Sequence, residues 1–175
     1  MSFQINAMIL GLFLATSAWG QKVEEYRVKA AFLFNFAKFV EWPPQIFKTA
    51  RDPIAICVVG QNLFGEALNE AVSGKTVEGR TFLVRQVSGE QPSAGCQILF
   101  VSSSERKRLH VILGEIKADG VLTVGETDNF ALEGGIINFK IEAGRVCLQV
   151  NVDAAEQAKL HISSKLLSLA QIVKR

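Results

Sequence analysis

Glu126 and Asp128 stand two residues apart in GETDNFALEGG, directly after a short apolar run. Two carboxylates at that spacing could do general acid–base work, and loops at the carboxyl ends of strands often carry the sites of α/β sheets. The competing reading is a solvated polar turn, for which Asp, Asn and Gly are the usual residues, and it is the stronger one. Other constellations are poorer. His110 and His161 fall on different elements and the cysteines are scattered, so neither a metal site nor a cofactor is expected. GQNLFG at residues 60–65 follows a strand and opens a helix, a place suited to anions. Glu66 and Ala67, however, stand where a phosphate loop needs Lys and Ser or Thr. Ser102, Ser103 and Ser104 precede His110 without the pattern of a nucleophile elbow, and a helix N-cap explains Ser103 or Ser104. Arg106, Lys107 and Arg108 lie beside Glu105 and have no interleaved aromatics, which reads as a solvated face and excludes nucleic acid. No catalytic set emerges, and the chain is not expected to be an enzyme.

The elements around these residues belong to one α/β domain, a mixed β-sheet with helices packed against it. A length of 175 residues, with 49% apolar and 21% charged, suits a single core. A net charge of +2 gives no call for nucleic acid or an anionic membrane. Periodicity predicts helices over 23–41, 62–72 and 104–116, strands over 53–59, 81–87, 97–102 and 121–124, and a hairpin of 136–142 with 145–151. A last helix is expected over the leucine-rich residues 160–172. Pro43 and Pro44 stop the first helix at Trp42.

The opening MSFQINAMILGLFLATSAWG carries no charged side chain. Its apolar run is nearer a dozen residues than the roughly 20 of a membrane span. Ala18 and Gly20 sit where a signal peptidase reads small residues. Residues 1–20 are therefore expected to be a signal peptide cleaved near Gly20, with residues 21–175 exported. In an oxidising compartment two of Cys57, Cys96 and Cys147 can pair. A bridge between Cys57 and Cys96 would close a loop of about 40 residues and contribute roughly 4 kcal/mol in the chain-entropy model. Cys147 would then be a small buried hydrophobe.

KAAFLFNFAKFVEWPP is crowded with rings. Phe32, Phe36 and Phe39 can share one helical face. Phe34 and Trp42 cannot easily join them, and exposed rings of that kind mark recognition surfaces. Asn35 among them needs hydrogen-bond partners if buried.

Several stretches in order resemble the YfiR-like family of bacterial periplasmic proteins: YRVKAAFLFNFAKFVEWP, IAICVVGQNLFG, GKTVEGRTFLVRQV, GCQILFVSSSE, GVLTVGETDNFALEGGIINFKIEAGRVCLQVN and AKLHISSKLLSLAQIV. The resemblance runs from Tyr26 to Val173 and implies a regulator. Such a protein would bind the periplasmic part of an inner-membrane diguanylate cyclase and hold down cyclic-di-GMP and biofilm formation. An outer-membrane lipoprotein would sequester it, and a homodimer is left open. The resemblance implies a main disulfide between Cys57 and Cys96, with no partner for Cys147 in a second. Phe34, Asn35, Lys38 and Trp42 are the expected partner-binding residues. The alternative is a small-molecule binder feeding a sensor kinase, with its ligand near Glu126, Asp128, His161, Ser163 and Lys165. His161, Ser163 and Lys165 lie in the stretch that resembles the family's carboxyl-terminal ligand motif.

Overall fold

Spacing of apolar residues sets the first element. Tyr26, Ala30, Leu33 and Ala37 repeat every three or four positions along α1 (Leu12–Phe39) and are all buried. The computed structural model describes residues 12–88, 93–116 and 119–174, with side chains from residue 20 onward. The stretch 1–11 of the expected signal peptide lies outside them, and the expected cut at Gly20 falls within α1. Among the described residues no helix is long and apolar enough to cross a membrane.

After α1 come β1 (Val40–Glu41), β2 (Ile54–Val59), α2 (Ala67–Val72), β3 (Phe82–Val87) and β4 (Ile98–Val101). A 3-10 turn (Ser103–Arg108) leads into α3 (Leu109–Glu115), followed by β5 (Leu122–Gly125), β6 (Ile137–Glu142) and β7 (Arg145–Asn151). The chain ends with α4 (Val152–Gln157), β8 (His161–Ile162), α5 (Ser164–Leu167) and β9 (Ala170–Val173). The main sheet has the order β3-β2-β4-β5-β6-β7-β9. All its neighbours are parallel except the β6–β7 hairpin. β1 and β8 form a small antiparallel pair of their own. The fold is a single α/β domain with a mixed sheet.

β2, β4 and β5 are buried on both faces, which is why they read as unbroken apolar runs. Ile54, Ile56 and Val58 face a large core roofed by α1 and α2, and Ala55, Cys57 and Val59 face a smaller one under α3. The Cys57–Cys96 disulfide lies in the smaller core, with Cα atoms 5.9 Å apart. Arg85 Nη2 lies 3.7 Å from each of its sulfurs and donates to the carbonyl oxygens of Ala94 and Gly95 at 3.1 and 2.7 Å.

Several sequence expectations need correction. The first helix ends at Phe39, before the expected stop at Trp42, and the segment expected as helix from residue 104 is 3-10 up to Arg108. The expected last helix over 160–172 is broken into β8, α5 and β9. Ser163 caps α5 by accepting from the Leu166 amide at 3.4 Å, and Ile172 and Val173 suit a strand, which β9 forms beside β7. The helix expected from residue 62 starts at Ala67, because Gly60 and Gly65 adopt positive φ and hold the preceding chain in turns. Cys147 is only half-buried, since it and Gln149 point to the face of β7 away from the main core.

Candidate functional site

β5 stops at Gly125, and the next side chain, Glu126, folds back under α1. Glu25, Tyr26 and Lys29 lie within one turn of that helix and reach the same point. Lys29 Nζ sits 2.7 Å from Glu126 Oε2, with the two side chains 3% and 4% exposed. Lys29 also pairs with Glu25. The Tyr26 hydroxyl donates to both Glu126 oxygens, at 3.0 and 2.9 Å, and the Ser103 amide donates to Oε1 at 3.0 Å. The Lys29 ammonium lies 4.5 Å from the centre of the Tyr26 ring.

Burial alone would raise the Glu126 carboxyl. The Lys29 charge, its hydrogen bond, the Ser103 amide and the Tyr26 hydroxyl outweigh burial and hold the group below its ordinary range. Tyr26 moves the other way: burial first, then the neighbouring Glu126 charge, push its phenol far above its ordinary value. Glu126 is therefore held as a carboxylate beside a neutral phenol. Both carboxylate oxygens are occupied, which suits a structural and recognition role better than proton transfer.

The loop after Glu126 is pinned. The Phe130 ring is fully buried and lies against Gly125 and Gly135, where a Cβ atom would meet it at 2.2 and 2.0 Å. The Asn151 amide nitrogen donates to the Ala131 carbonyl at 2.7 Å, and the Gly135 amide to the Phe130 carbonyl at 2.9 Å. A depression of about 380 Å³ opens beside the ion pair, lined by Tyr26, Lys29, Ser103, Thr127, Asn138 and Phe139, among others.

The model of one protein family, described as YfiR/HmsC-like, matches residues 26–171. The chain belongs to the YfiR/HmsC-like family. At family level this membership supports, for such proteins, a periplasmic setting in the regulation of cyclic-di-GMP signalling. Members of the YfiR/HmsC-like family are regulatory proteins. No curated protein matches the chain. A crystal structure of a conserved domain protein from Vibrio cholerae O1 biovar eltor is similar, with a TM-score of 0.48 and 12% identity. The match covers 69% of this YfiR/HmsC-like chain and 54% of that one, so the chain spans about half the length of that structure.

Of the expected ligand residues, the YfiR/HmsC-like fold brings Glu126 and Asp128 to the same depression. Asp128 is exposed and lies 3.9 Å from the Arg106 guanidinium. His161, Ser163 and Lys165 are elsewhere, at the far end of α1. His161 pairs with Glu41 across the small sheet, the Ser163 amide donates to the Phe39 carbonyl at 2.9 Å, and Lys165 lies 5.4 Å from the centre of the Phe39 ring. Ten residues of helix, about 15 Å, separate Lys29 from Phe39. The expected residues therefore form two groups.

The expected partner residues divide as well. Phe34 is buried, only 8% exposed, where the sequence pattern suggests an exposed ring. It packs on Phe82 at 5.4 Å, and Lys38 and Lys75 lie over its face at 4.3 and 4.5 Å, closing it from solvent. Lys38 is exposed, while Asn35 and Trp42 are half-buried. The Trp42 indole nitrogen is buried and has no partner among the described residues. The residue Trp42 lines a depression of about 330 Å³ shared with Glu41, Pro44, Phe47, Val77 and Arg80.

Neither Lys29 nor Tyr26 is among the candidate residues read from the sequence. A signal was present: Lys29 stands four and seven residues before the buried Leu33 and Phe36, a core position that a lysine occupies only with a carboxylate partner.

Proposed function

We propose that the chain acts in the periplasm by touching the extracytoplasmic part of an inner-membrane signalling protein of diguanylate-cyclase type, and represses it. An outer-membrane lipoprotein would relieve the repression by competing for the same face. Family membership supports the setting. The observation that carries the contact face is the Trp42 indole N–H, which is buried with no acceptor among the described residues, on a residue that lines the depression. A partner carbonyl or carboxylate entering beside Val77 and Arg80 would satisfy it. Exposed Lys38, lying over Phe34 together with Lys75, extends the face along α1. Phe34 then acts from beneath, as the support on which Lys38 rests.

Site-directed photocrosslinking in exporting cells tests this reading. A crosslinker at position 38 or 42 should capture an inner-membrane protein with an extracytoplasmic domain. One at position 111, an exposed side chain on α3, should not. Capture only of a second copy of the chain, or equal capture from all three positions, overturns the proposal.

A further inference from the structure

We infer that β9 pairs with β9 of a second copy of this chain, antiparallel about a two-fold axis at Gln171, and so joins two sheets into one. The inference does not depend on the proposed contact with a membrane protein.

A row of amides leads to that edge. Asn138 on β6, Gln149 on β7 and Gln171 on β9 stand at matching register positions. The Asn138 amide nitrogen donates to Gln149 Oε1 at 3.4 Å, and the Gln149 amide nitrogen donates to Gln171 Oε1 at 2.9 Å. Each amide thus hands its donor to the next strand, and the row stops where the sheet stops. Gln171 is exposed there, and its own amide nitrogen donates to nothing among the described residues. A further strand with an amide at the same position would extend the row, as in stacked Asn and Gln ladders. A two-fold axis at Gln171 supplies that amide from the same sequence. The two Gln171 amides can then exchange N–H···O bonds, because Oε1 keeps a second lone pair beside its bond from Gln149.

The neighbours of Gln171 fit the same axis. Ala170 faces Ile172 across the seam, and Leu169 faces Val173. Leu169 and Ile172 are 66% and 43% exposed, and the seam would cover both. Apolar pairs across strands stabilise a sheet, whereas like charges placed opposite each other destabilise it, and positions 169–173 carry no charge. Lys and Pro are common guards of an open edge, and neither occurs in that stretch. The opposite edge of the sheet differs. On β3, Arg85 donates to the Ala94 and Gly95 carbonyls and Gln86 to the Gly60 carbonyl, and Gln86 lies beside Val58 with no amide row behind it. A strand from another protein would need its own amide and flanking apolar residues in step, whereas a second copy brings them by symmetry. The seam is short beside the roughly 1,600 Å² of a standard interface, so the dimer is weak and dissociates on dilution.

Sedimentation equilibrium of the purified chain, from micromolar to millimolar concentration, tests the pairing. The native chain should pass reversibly from monomer to dimer. Gln171→Lys and Gln171→Glu each place like charges across the axis. Each should raise the dissociation constant at least tenfold and leave the melting temperature of the dilute chain nearly unchanged. An equimolar mixture of those two variants should dimerise again, since opposite charges then meet. Leu169→Lys should also weaken the dimer at least tenfold, and it carries the test alone where a change at Gln171 disturbs β9. The inference is overturned by a native chain that stays monomeric at every concentration, by a dimer that the charged variants leave intact, or by a mixture of the two Gln171 variants that remains monomeric.

Discussion

Lys29 Nζ lies 2.7 Å from Glu126 Oε2 across 97 residues of sequence, and both side chains are almost wholly shielded from water. An ion pair placed there is costly to split, since either charge left alone would remain buried. Lys29→Met or Glu126→Gln should each lower stability by about 3–5 kcal/mol. The double change Lys29→Met with Glu126→Gln should cost well under the sum of the two, since Gln keeps an acceptor for the Tyr26 hydroxyl and the Ser103 amide. Urea unfolding of the four proteins gives the comparison, and additive losses in the double variant would remove the pairing from the account.

The same carboxylate fixes the acid limb of stability. Its folded pKa is held below the unfolded value of about 4.3. Its contribution is therefore present above that pH and is lost as pH falls through the lower folded value. Denaturant midpoints measured from pH 7 down to pH 3 should fall more steeply for the native chain than for Glu126→Gln.

Tyr26 governs the alkaline limb with the opposite sign. Its folded pKa is raised by burial and by the Glu126 charge, so its contribution is intact below the unfolded value of about 10 and is lost as pH climbs above it. Tyr26→Phe should flatten the loss of stability between pH 9 and 11. Absorbance at the phenolate band should show no titration of Tyr26, the chain's single tyrosine, while the fold persists.

Reduction tests the disulfide. The Cys57–Cys96 bond spans a sequence separation of 39, for which the chain-entropy model gives about 4 kcal/mol. For a chain of this size that corresponds to a fall of roughly 10 °C in melting temperature. Dithiothreitol and the Cys57→Ala, Cys96→Ala pair should give falls of similar size, and Cys147→Ser should change little.

Phe34 separates fold from contact. Because it is buried against Phe82, Phe34→Glu should unfold the chain, and Phe34→Ala should cost about 3–5 kcal/mol. Lys38→Glu should leave the melting temperature within a degree or two while weakening capture of the membrane partner. A Lys38→Glu chain that binds as well as the native one removes this part of α1 from the contact.

Much of the scaffold is legible in the residues. The unbroken apolar runs of β2 and β4 announce strands covered on both faces, and the alternation through β6 and β7 announces a hairpin with one wetter side. The carboxyl-terminal segment is not legible in this way. Its leucines recur at helical spacing, yet Ile172 and Val173 find an open edge on β7, a tertiary opportunity that spacing cannot reveal. Phe34 defeats a similar rule. A helical wheel turns it away from Phe36, but α2 and β3 rise beside the helix and bury a second side of it. Glu126 reads as one more polar turn residue because its partners, Tyr26 and Lys29, lie about a hundred positions away.

The small ladder in which Val40 meets Ile162 joins segments far apart in the sequence. The Phe39 carbonyl is likewise held by the Ser163 amide. A growing chain thus exposes its aromatic helix long before the segment that fastens it exists, and contacts of such high sequence separation form slowly. The segment around Ile162 must be synthesised before the molecule can close, so a chain released up to that point is still an open polymer.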